Sequence, residues 1–242
     1  MIFVFLVLYN FSNPDIRGSE PIKSIDTLQY IMGKFEPAKH PLFTKIPSAY
    51  SVKTEYLRKE TLEAFIMMAN AAQKDGIKLK ILSATRNFNA QKTIWENKWT
   101  GKTLVGKGQN LAKTQKDPVK RAQIILEYSS MPSTSRHHWG TDMDLNSLSN
   151  DYFASGEGKK IYDWLTGHAA AFGFCQPYTA GRLNGYHEEK WHWTYMPVSK
   201  PLTDFCQKKM FNNKITGFLG SQTAPTIDIV KKYMLGINPE CL

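Results

Sequence analysis

The chain has 242 residues, of which 42% are hydrophobic, 21% charged and 12% aromatic, with no low-complexity tract or internal repeat. This composition predicts one large globular domain or two small ones and excludes a repeat architecture. The 31 Lys and Arg residues against 21 Asp and Glu residues give a net charge of +10, which favours anionic surroundings such as nucleic acid, acidic lipid or cell-wall polymer. Because the lysines, Lys98 among them, are scattered rather than interleaved with aromatic residues, we expect a solvated basic surface and no nucleic-acid partner.

The N-terminal segment differs from the rest of the chain. Residues 1–8 are almost wholly apolar, in a run too short to span a bilayer as a helix. They resemble the apolar core of a secretory signal, although a basic start and a clear cleavage site are absent, and a buried N-terminal strand is the alternative. We expect 1–20 to be a leader or N-terminal extension, the protein to be secreted or periplasmic, and no membrane partner beyond that leader.

Helices and strands are predicted in an irregular order after this segment. Residues 57–74 place apolar side chains at helical intervals and end at an Asp-Gly pair, whereas 77–83 alternate as a strand does. Asp117 followed by Pro118 is typical of a helix N-terminus. The predicted helices are 25–35, 57–74, 87–99, 117–128, 159–172 and 200–211, and the predicted strands are 77–83, 141–145 and 191–196.

This order contains no strand–helix–strand rhythm. We therefore expect an α+β fold with a small, mainly antiparallel sheet flanked by helices. Residues 21–213 would form the domain, and 214–242 would be a C-terminal tail packed on the domain or trailing it. We expect a monomer.

The three cysteines, Cys175, Cys206 and Cys241, are widely spaced and form no CxxC pair. A structural zinc site rich in cysteine is therefore not predicted. In an exported protein Cys175 could pair with Cys206 and leave Cys241 free, and three unpaired thiols are the alternative.

Two short motifs carry the strongest functional signal. The first, SRHHWGTDMD at 135–144, contains the candidate metal ligands His137 and Asp144, and the second, EKWHW at 189–193, contains His192. The glycine in the first motif permits the bend that brings its two ligands to the same side of a turn and strand. The tryptophans flanking the last histidine would point to the opposite face of its strand and hold it by packing.

Two imidazoles and a carboxylate with a free glutamate nearby are the parts of a catalytic zinc site, which leaves a fourth position for water. We expect one Zn2+ per chain. Glu189, three residues before His192, is the candidate base for that water, and Glu188 is the competing candidate. The HExxH pattern of other zinc peptidases is excluded, because 187–192 hold one residue too many between the histidines.

These motifs resemble those of the VanY-type D-alanyl-D-alanine carboxypeptidases, zinc peptidases that share a fold with the Hedgehog signalling domain. Their SxHxxGxxxD signature is matched by 135–144, and their ExxH signature, often E-x-W-H, is matched by 189–192. An arginine in a strand-exit segment of the form S-x-x-R is matched by Arg86. The resemblance covers roughly residues 55–200 and implies the Hedgehog/DD-peptidase type of α+β fold.

The resemblance implies that His137, Asp144 and His192 bind zinc and that Glu189 is the general base. It also implies a hydrolase that removes the C-terminal D-alanine from peptidoglycan stem peptides. L,D-carboxypeptidase or endopeptidase activity at the same site is an alternative. A non-catalytic wall-binding module with a structural zinc is the alternative from another class, and the presence of both Glu189 and Arg86 favours an enzyme.

Further residues of the motifs match positions that act on the substrate. Arg86 would steady the oxyanion or the substrate carboxylate, a task that its planar guanidinium suits. Ser135 and Gln91 match positions that help hold the substrate, and a capping or turn hydroxyl is the alternative for Ser135. Asp142 stands where the family commonly has alanine and would share a strand face with Asp144. It would accept a hydrogen bond from an imidazole N–H or narrow the cleft.

Overall fold

The computed structural model describes residues 27–242, so the predicted leader at 1–20 lies outside the described residues. Within 27–242, no helix combines the length and the apolar character needed to cross a bilayer. The helices are α1 (Thr27–Ile31), α2 (Lys59–Lys74), α3 (Phe88–Trp99), α4 (Leu111–Thr114), α5 (Pro118–Ile125), α6 (Gly156–His168), α7 (Met196–Lys209) and α8 (Ala224–Ile227). The strands are β1 (Phe43–Lys45), β2 (Tyr56–Arg58), β3 (Ile81–Ser83), β4 (Asp142–Leu145), β5 (Phe174–Cys175) and β6 (His192–Tyr195).

Four strands form an antiparallel sheet in the order β3-β4-β6-β5, and β1 and β2 form a separate antiparallel pair. The predicted α+β fold with a small antiparallel sheet is therefore confirmed. The register of β4 and β6 places Asp144 opposite His192 and Met143 opposite Trp193. Because side chains alternate between the two faces of a strand, the first pair lies on one face of the sheet and the second pair on the other.

The apolar face of this sheet anchors the two strands that carry the motifs. Met143 and Trp193 belong to one buried cluster together with residues of α2 and α6, such as Phe65 and Trp164. A second cluster joins residues of α3, α5 and α7 to the C-terminal segment. Burial of the apolar side chains of β4 and β6 thus fixes the direction in which their polar side chains point.

Several element boundaries differ from the sequence predictions, and two of the differences have identifiable reasons. The strand predicted at 77–83 is formed only at Ile81–Ser83, because this is the part that pairs with β4. The helix predicted at 200–211 begins at Met196 instead, with Pro197 in its first turn and Pro201 inside it. Proline is tolerated in the first turn of a helix because the N–H that it lacks has no intrahelical partner there.

The C-terminal residues pack on the domain. Ile227 and Met234 are buried in the cluster that also contains residues of α3 and α7. A disulfide joins Cys175, at the end of β5, to Cys241. The predicted pairing of Cys175 with Cys206 is wrong, as is the alternative of three unpaired thiols, because Cys206 is a free thiol buried on α7.

The disulfide predicts a measurable stabilisation. It joins residues 66 positions apart and so restrains the unfolded chain, and we expect Cys175→Ser to lower the free energy of unfolding by about 2–4 kcal/mol. Urea denaturation followed by tryptophan fluorescence measures this difference. A reducing agent should lower the free energy of unfolding of the wild-type protein by the same amount and should leave that of the variant unchanged. A wild-type curve that does not move on reduction would contradict the expectation.

Candidate metal centre

Three side chains converge where the sheet meets a short turn. His137 lies in a 3-10 turn formed by Arg136–Trp139, which ends at Gly140 with φ of 71°. Asp144 and His192 lie opposite each other on β4 and β6. Positive φ, which glycine adopts without strain, redirects the chain from the turn into β4. As a result, one potential metal-ligating atom of each of the three residues lies within 4.8 Å of the corresponding atoms of the other two.

Hydrogen bonds decide which ring nitrogen of each histidine faces this centre. Nδ1 of His137 lies 2.7 Å from the carbonyl oxygen of Ala84, which can only accept, so Nδ1 donates and Nε2 is left for the centre. Nε2 of His192 donates to Oδ1 of Asp142 at 2.9 Å, so Nδ1 is left for the centre. The predicted contact between Asp142 and an imidazole N–H is therefore observed.

The convergent atoms fit a divalent cation. Nε2 of His137 lies 3.4 Å from Oδ2 of Asp144, and Nδ1 of His192 lies 3.1 Å from Oδ1. That second contact lacks hydrogen-bond geometry, and Oδ1 of Asp144 has no hydrogen-bond partner within residues 27–242. A buried carboxylate oxygen without a partner is unfavourable unless a cation accompanies it. Two imidazole nitrogens and one carboxylate oxygen form a ligand set that zinc takes in catalytic sites.

Glu189 lies beside this centre without belonging to the ligand set. Its Oε2 is 3.5 Å from Nδ1 of His192, and its side chain is buried. A tight turn, closed by a bond from the His192 N–H to the Glu189 carbonyl, places the side chain there. Burial raises the pKa of Glu189 to about 8 in the metal-free protein, although the charges of His192 and Arg86 oppose the shift. The competing candidate Glu188 does not line the cleft that contains Glu189.

Arg86 lines the same cleft and is held from several sides. Its Nε donates to Oε1 of Gln91 at 3.0 Å, and its Nη1 donates to Oγ of Ser83 at 2.7 Å. Nη1 also lies 3.7 Å from Oδ2 of Asp144, which ties the guanidinium to the centre. Gln91 is 1% exposed and is fixed by its own bond to the carbonyl oxygen of Ser130. The contact that Gln91 makes in the structure is therefore an orienting contact with Arg86.

Ser135 and His138 are both buried, which the motif alone does not indicate. Ser135 is fully buried, does not line the cleft and makes no capping bond, so the capping alternative is not found and its contact with substrate stays a prediction. His138 is also buried, with Nδ1 donating to the Arg86 carbonyl at 2.6 Å and Nε2 accepting from the Ser133 N–H at 3.1 Å. Burial lowers the pKa of His138 to about 3. This neutral ring fixes the backbone that carries Arg86.

A buried ion pair supports His192 from behind. Nε of Arg136 donates to Oδ1 of Asp142 at 3.0 Å, and both side chains are fully buried. The remaining guanidinium nitrogens donate to the hydroxyl groups of Thr203 and Thr194 at 3.1 and 3.0 Å. Burial alone would raise the pKa of Asp142, but the charge of Arg136 holds that pKa well below its usual range. Sequence reasoning missed Arg136, because nothing in its position between two motif residues indicates an ionic partner.

The cleft that contains these groups has a volume of about 520 Å3. Its wall also includes Lys98 from α3, residues 128–130, residues 148–151 and Trp191. The scattered lysine pattern predicts a solvated Lys98, but the side chain lies in this wall and donates to Oγ of Ser129 at 2.6 Å. Polar groups in a concave site with aromatic walls are typical of ligand-binding clefts.

Protonation of the metal-free centre predicts a stability that falls with pH. Burial alone would lower the pKa of His192, but its hydrogen bond to Asp142 and the nearby charge of Asp144 raise it to about 9, and burial raises the pKa of Glu189 to about 8. A raised pKa stabilises the folded state below the unfolded-state pKa, and this stabilisation is lost as pH rises through the folded-state pKa. The two groups therefore act in the same direction between the unfolded His pKa of 6.5 and the folded Glu189 pKa of about 8, and His192 alone continues the trend up to about 9.

We accordingly expect the melting temperature of the metal-free protein to fall as pH rises across this window. The dependence of the melting temperature on pH should be weaker in Glu189→Gln. Affinity for zinc should rise over the same window, because zinc displaces the proton from its ligands. Scanning calorimetry in the presence of EDTA and zinc titrations at matched pH values measure the two trends. A melting temperature that increases with pH in this window would contradict the assignment.

Comparison with known proteins relates this arrangement to a family. Residues 54–198 match the family described as "VanY: D-alanyl-D-alanine carboxypeptidase". Among curated proteins, "Putative carboxypeptidase YodJ" of Bacillus subtilis (strain 168) is 28% identical over 191 residues, which cover 75% of this chain and 62% of that protein. An uncharacterized protein of Haemophilus influenzae is 30% identical over 88 residues, which cover 36% of this chain and 60% of that protein. The matched regions span about three fifths of the length of these relatives.

The solved structure of the LdcB LD-carboxypeptidase shows the same fold. The LdcB LD-carboxypeptidase superposes with a TM-score of 0.52 and 22% identity, covering 83% of this chain and 81% of that chain. VanYB in complex with D-alanine-D-alanine gives a TM-score of 0.49 and 20% identity, covering 72% of this chain and 92% of that chain. The family match from 54 to 198 takes in both motifs and more than half of the chain. This protein therefore belongs to the VanY family of D-alanyl-D-alanine carboxypeptidases.

Proposed function

We propose that this protein is a zinc-dependent carboxypeptidase that removes the C-terminal D-alanine from peptidoglycan stem peptides. The observation that carries the proposal is a buried set of three metal-ligating side chains that shares one cleft with Glu189 and Arg86. The partnerless carboxylate oxygen of Asp144 supports the metal, and membership of the VanY family supports the reaction class.

His137, Asp144 and His192 would hold the zinc ion. Bound zinc supplies a Lewis acid and lowers the pKa of water at its open position to about 7. Glu189 would take a proton from the attacking water and pass it to the amide nitrogen of the departing D-alanine. The water oxygen joins the carbonyl carbon, the C–N bond breaks, and the new amine leaves with the proton.

Arg86 would stabilise the negative charge that develops on the carbonyl oxygen during this addition. Its bonds to Gln91 and Ser83 hold the guanidinium in one direction, so little reorganisation is needed at the moment of reaction. Nη2 takes part in neither bond and is the nitrogen that we assign to the substrate oxygen. Gln91 thus acts through Arg86 as a positioning residue.

We further propose that the protein acts outside the cytoplasm. The disulfide between Cys175 and Cys241 supports this location, since structural disulfides form and persist in oxidising compartments. The net charge of +10 suits a surrounding of anionic wall polymers.

Incubation of purified muropeptides with zinc-loaded protein tests the proposal. We expect pentapeptide stems to lose the mass of one alanine residue. The reaction should be abolished by EDTA and restored by zinc, because the attacking water needs the bound cation for its activation. Liquid chromatography with mass spectrometry reports the bond cut and the metal requirement together.

The other outcomes of this experiment separate the alternatives. Trimming of tetrapeptide stems would indicate an L,D-carboxypeptidase, and cleavage of cross-linked dimers would indicate an endopeptidase. Unchanged muropeptides in the presence of zinc-loaded protein would overturn the proposal and favour a wall-binding module.

A further inference from the structure

Lys98 is a cation of the cleft that forms no ion pair with any residue of 27–242. Arg86 and Lys98 both line the cleft, but Arg86 contacts the carboxylate of Asp144 whereas Lys98 donates to the neutral hydroxyl of Ser129. Within residues 27–242, no carboxylate lies at ion-pair distance from the Lys98 ammonium. Burial lowers the pKa of Lys98, and the charge of Glu189 opposes this shift.

A carboxypeptidase needs such a cation near its catalytic group. The carboxylate carbon of the terminal residue is three bonds from the scissile carbonyl carbon, which limits their separation to about 4 Å. The partner of that carboxylate must therefore lie in the same cleft as the scissile bond. Ser135, which the resemblance assigns to substrate, is fully buried and does not line the cleft, whereas Arg86 and Lys98 do.

Arg86 is less suited to this task than Lys98. Its guanidinium is directed towards the metal ligands by Gln91 and Ser83, which places it where charge develops on the scissile carbonyl. Lys98 extends from α3 into the cleft wall next to Ser129, whose hydroxyl accepts from the ammonium and retains its own proton for donation. A half-buried ammonium beside a hydroxyl donor suits a carboxylate, because hydrogen bonds between charged partners are the strong ones.

We propose that Lys98, together with the hydroxyl of Ser129, binds the free α-carboxylate of the substrate and thereby confines cleavage to the last residue of the peptide. This inference rests on the proposed carboxypeptidase function and names the group that selects a chain end. Arg86 would then contact the scissile carbonyl oxygen, and Lys98 would contact the terminal carboxylate.

A cycle of two substrates and two proteins tests the pairing. The peptide cleaved in the muropeptide experiment is prepared as the free acid and as the C-terminal amide, and kcat/KM is measured for the wild type and for Lys98→Met. We expect the wild type to prefer the acid by about 10- to 100-fold, mainly through KM, as a charge-assisted contact predicts. Lys98→Met should lose this preference because its activity on the acid falls much further than its activity on the amide.

Two further variants complete the cycle. Lys98→Arg keeps the charge and should restore part of the preference. Lys102→Met removes an exposed lysine four residues further along the chain, with the same change in net charge, and should behave as the wild type. Equal losses on acid and amide in Lys98→Met would show that Lys98 only ties α3 to the Ser129 loop, and would overturn the inference. A preference that survives in Lys98→Met would also overturn it, since another group would then hold the carboxylate.

The two proposals can fail separately. If the zinc-loaded wild type cleaves no muropeptide, the proposed function fails, and the carboxylate site is then tested by calorimetric titration with an alanine-terminated peptide and its amide. Tighter binding of the acid that disappears in Lys98→Met would still support the site. Equal dissociation constants for acid and amide in the wild type would refute it.

Discussion

Replacement of Glu189 by glutamine is expected to lower kcat at least about 100-fold, the scale associated with loss of a general acid–base group. Zinc content should not change, because Glu189 lies 3.5 Å from Nδ1 of His192 but is outside the set of three ligands. Glutamine keeps the size of the side chain and cannot accept the proton from water. Steady-state kinetics on a D-alanine-terminated peptide and metal analysis of the purified variant measure the two quantities.

Glu188 offers a matched control for this variant. It is the neighbouring residue with the same side chain, it lies outside the cleft lining, and its carbonyl rather than its carboxylate contacts Asn150. Glu188→Gln should therefore retain wild-type kinetics. Normal turnover in Glu189→Gln, or a large loss in Glu188→Gln, would move the base to the other glutamate.

Replacement of Asp142 by alanine is expected to have the largest effect on stability. It leaves the fully buried guanidinium of Arg136 without its anion, and breaking a buried ion pair costs about 3–5 kcal/mol of unfolding free energy. It also removes the oxygen that accepts the hydrogen bond from Nε2 of His192, so zinc affinity should fall by about 10- to 100-fold. Chemical denaturation of the metal-free protein and competition with a chromogenic chelator measure the two effects.

A double variant separates these two effects. Arg136→Met together with Asp142→Ala removes both charges, and joint removal of a buried pair is often close to neutral in stability. Stability should therefore recover in large part while zinc affinity stays low. Asp163→Ala is the control for loss of an aspartate, since its pair with Lys159 is exposed and such pairs contribute about 1 kcal/mol or less. Unchanged zinc affinity in Asp142→Ala would show that packing alone orients His192.

Local spacing explains which parts of the structure could be predicted. The cap of α5 follows from two adjacent residues, and Oδ1 of Asp117 does accept from the N–H groups of Val119 and Lys120. The opposite faces of Trp193 and His192 follow from strand alternation in the same way. The C-terminal disulfide could not be predicted, because three cysteines without characteristic spacing say nothing about which two meet in space.

The sequence by itself determined the α+β class, the candidate ligands His137, Asp144 and His192, and the neighbouring Glu189, since each follows from residue types at short, fixed intervals. Only the tertiary structure decided that Asp144 faces His192 across two strands, that Arg136 holds Asp142, and that Lys98 lies in the cleft. Those contacts join residues distant along the chain. Their partners are selected by the burial of apolar faces and by strand register, which no local pattern encodes.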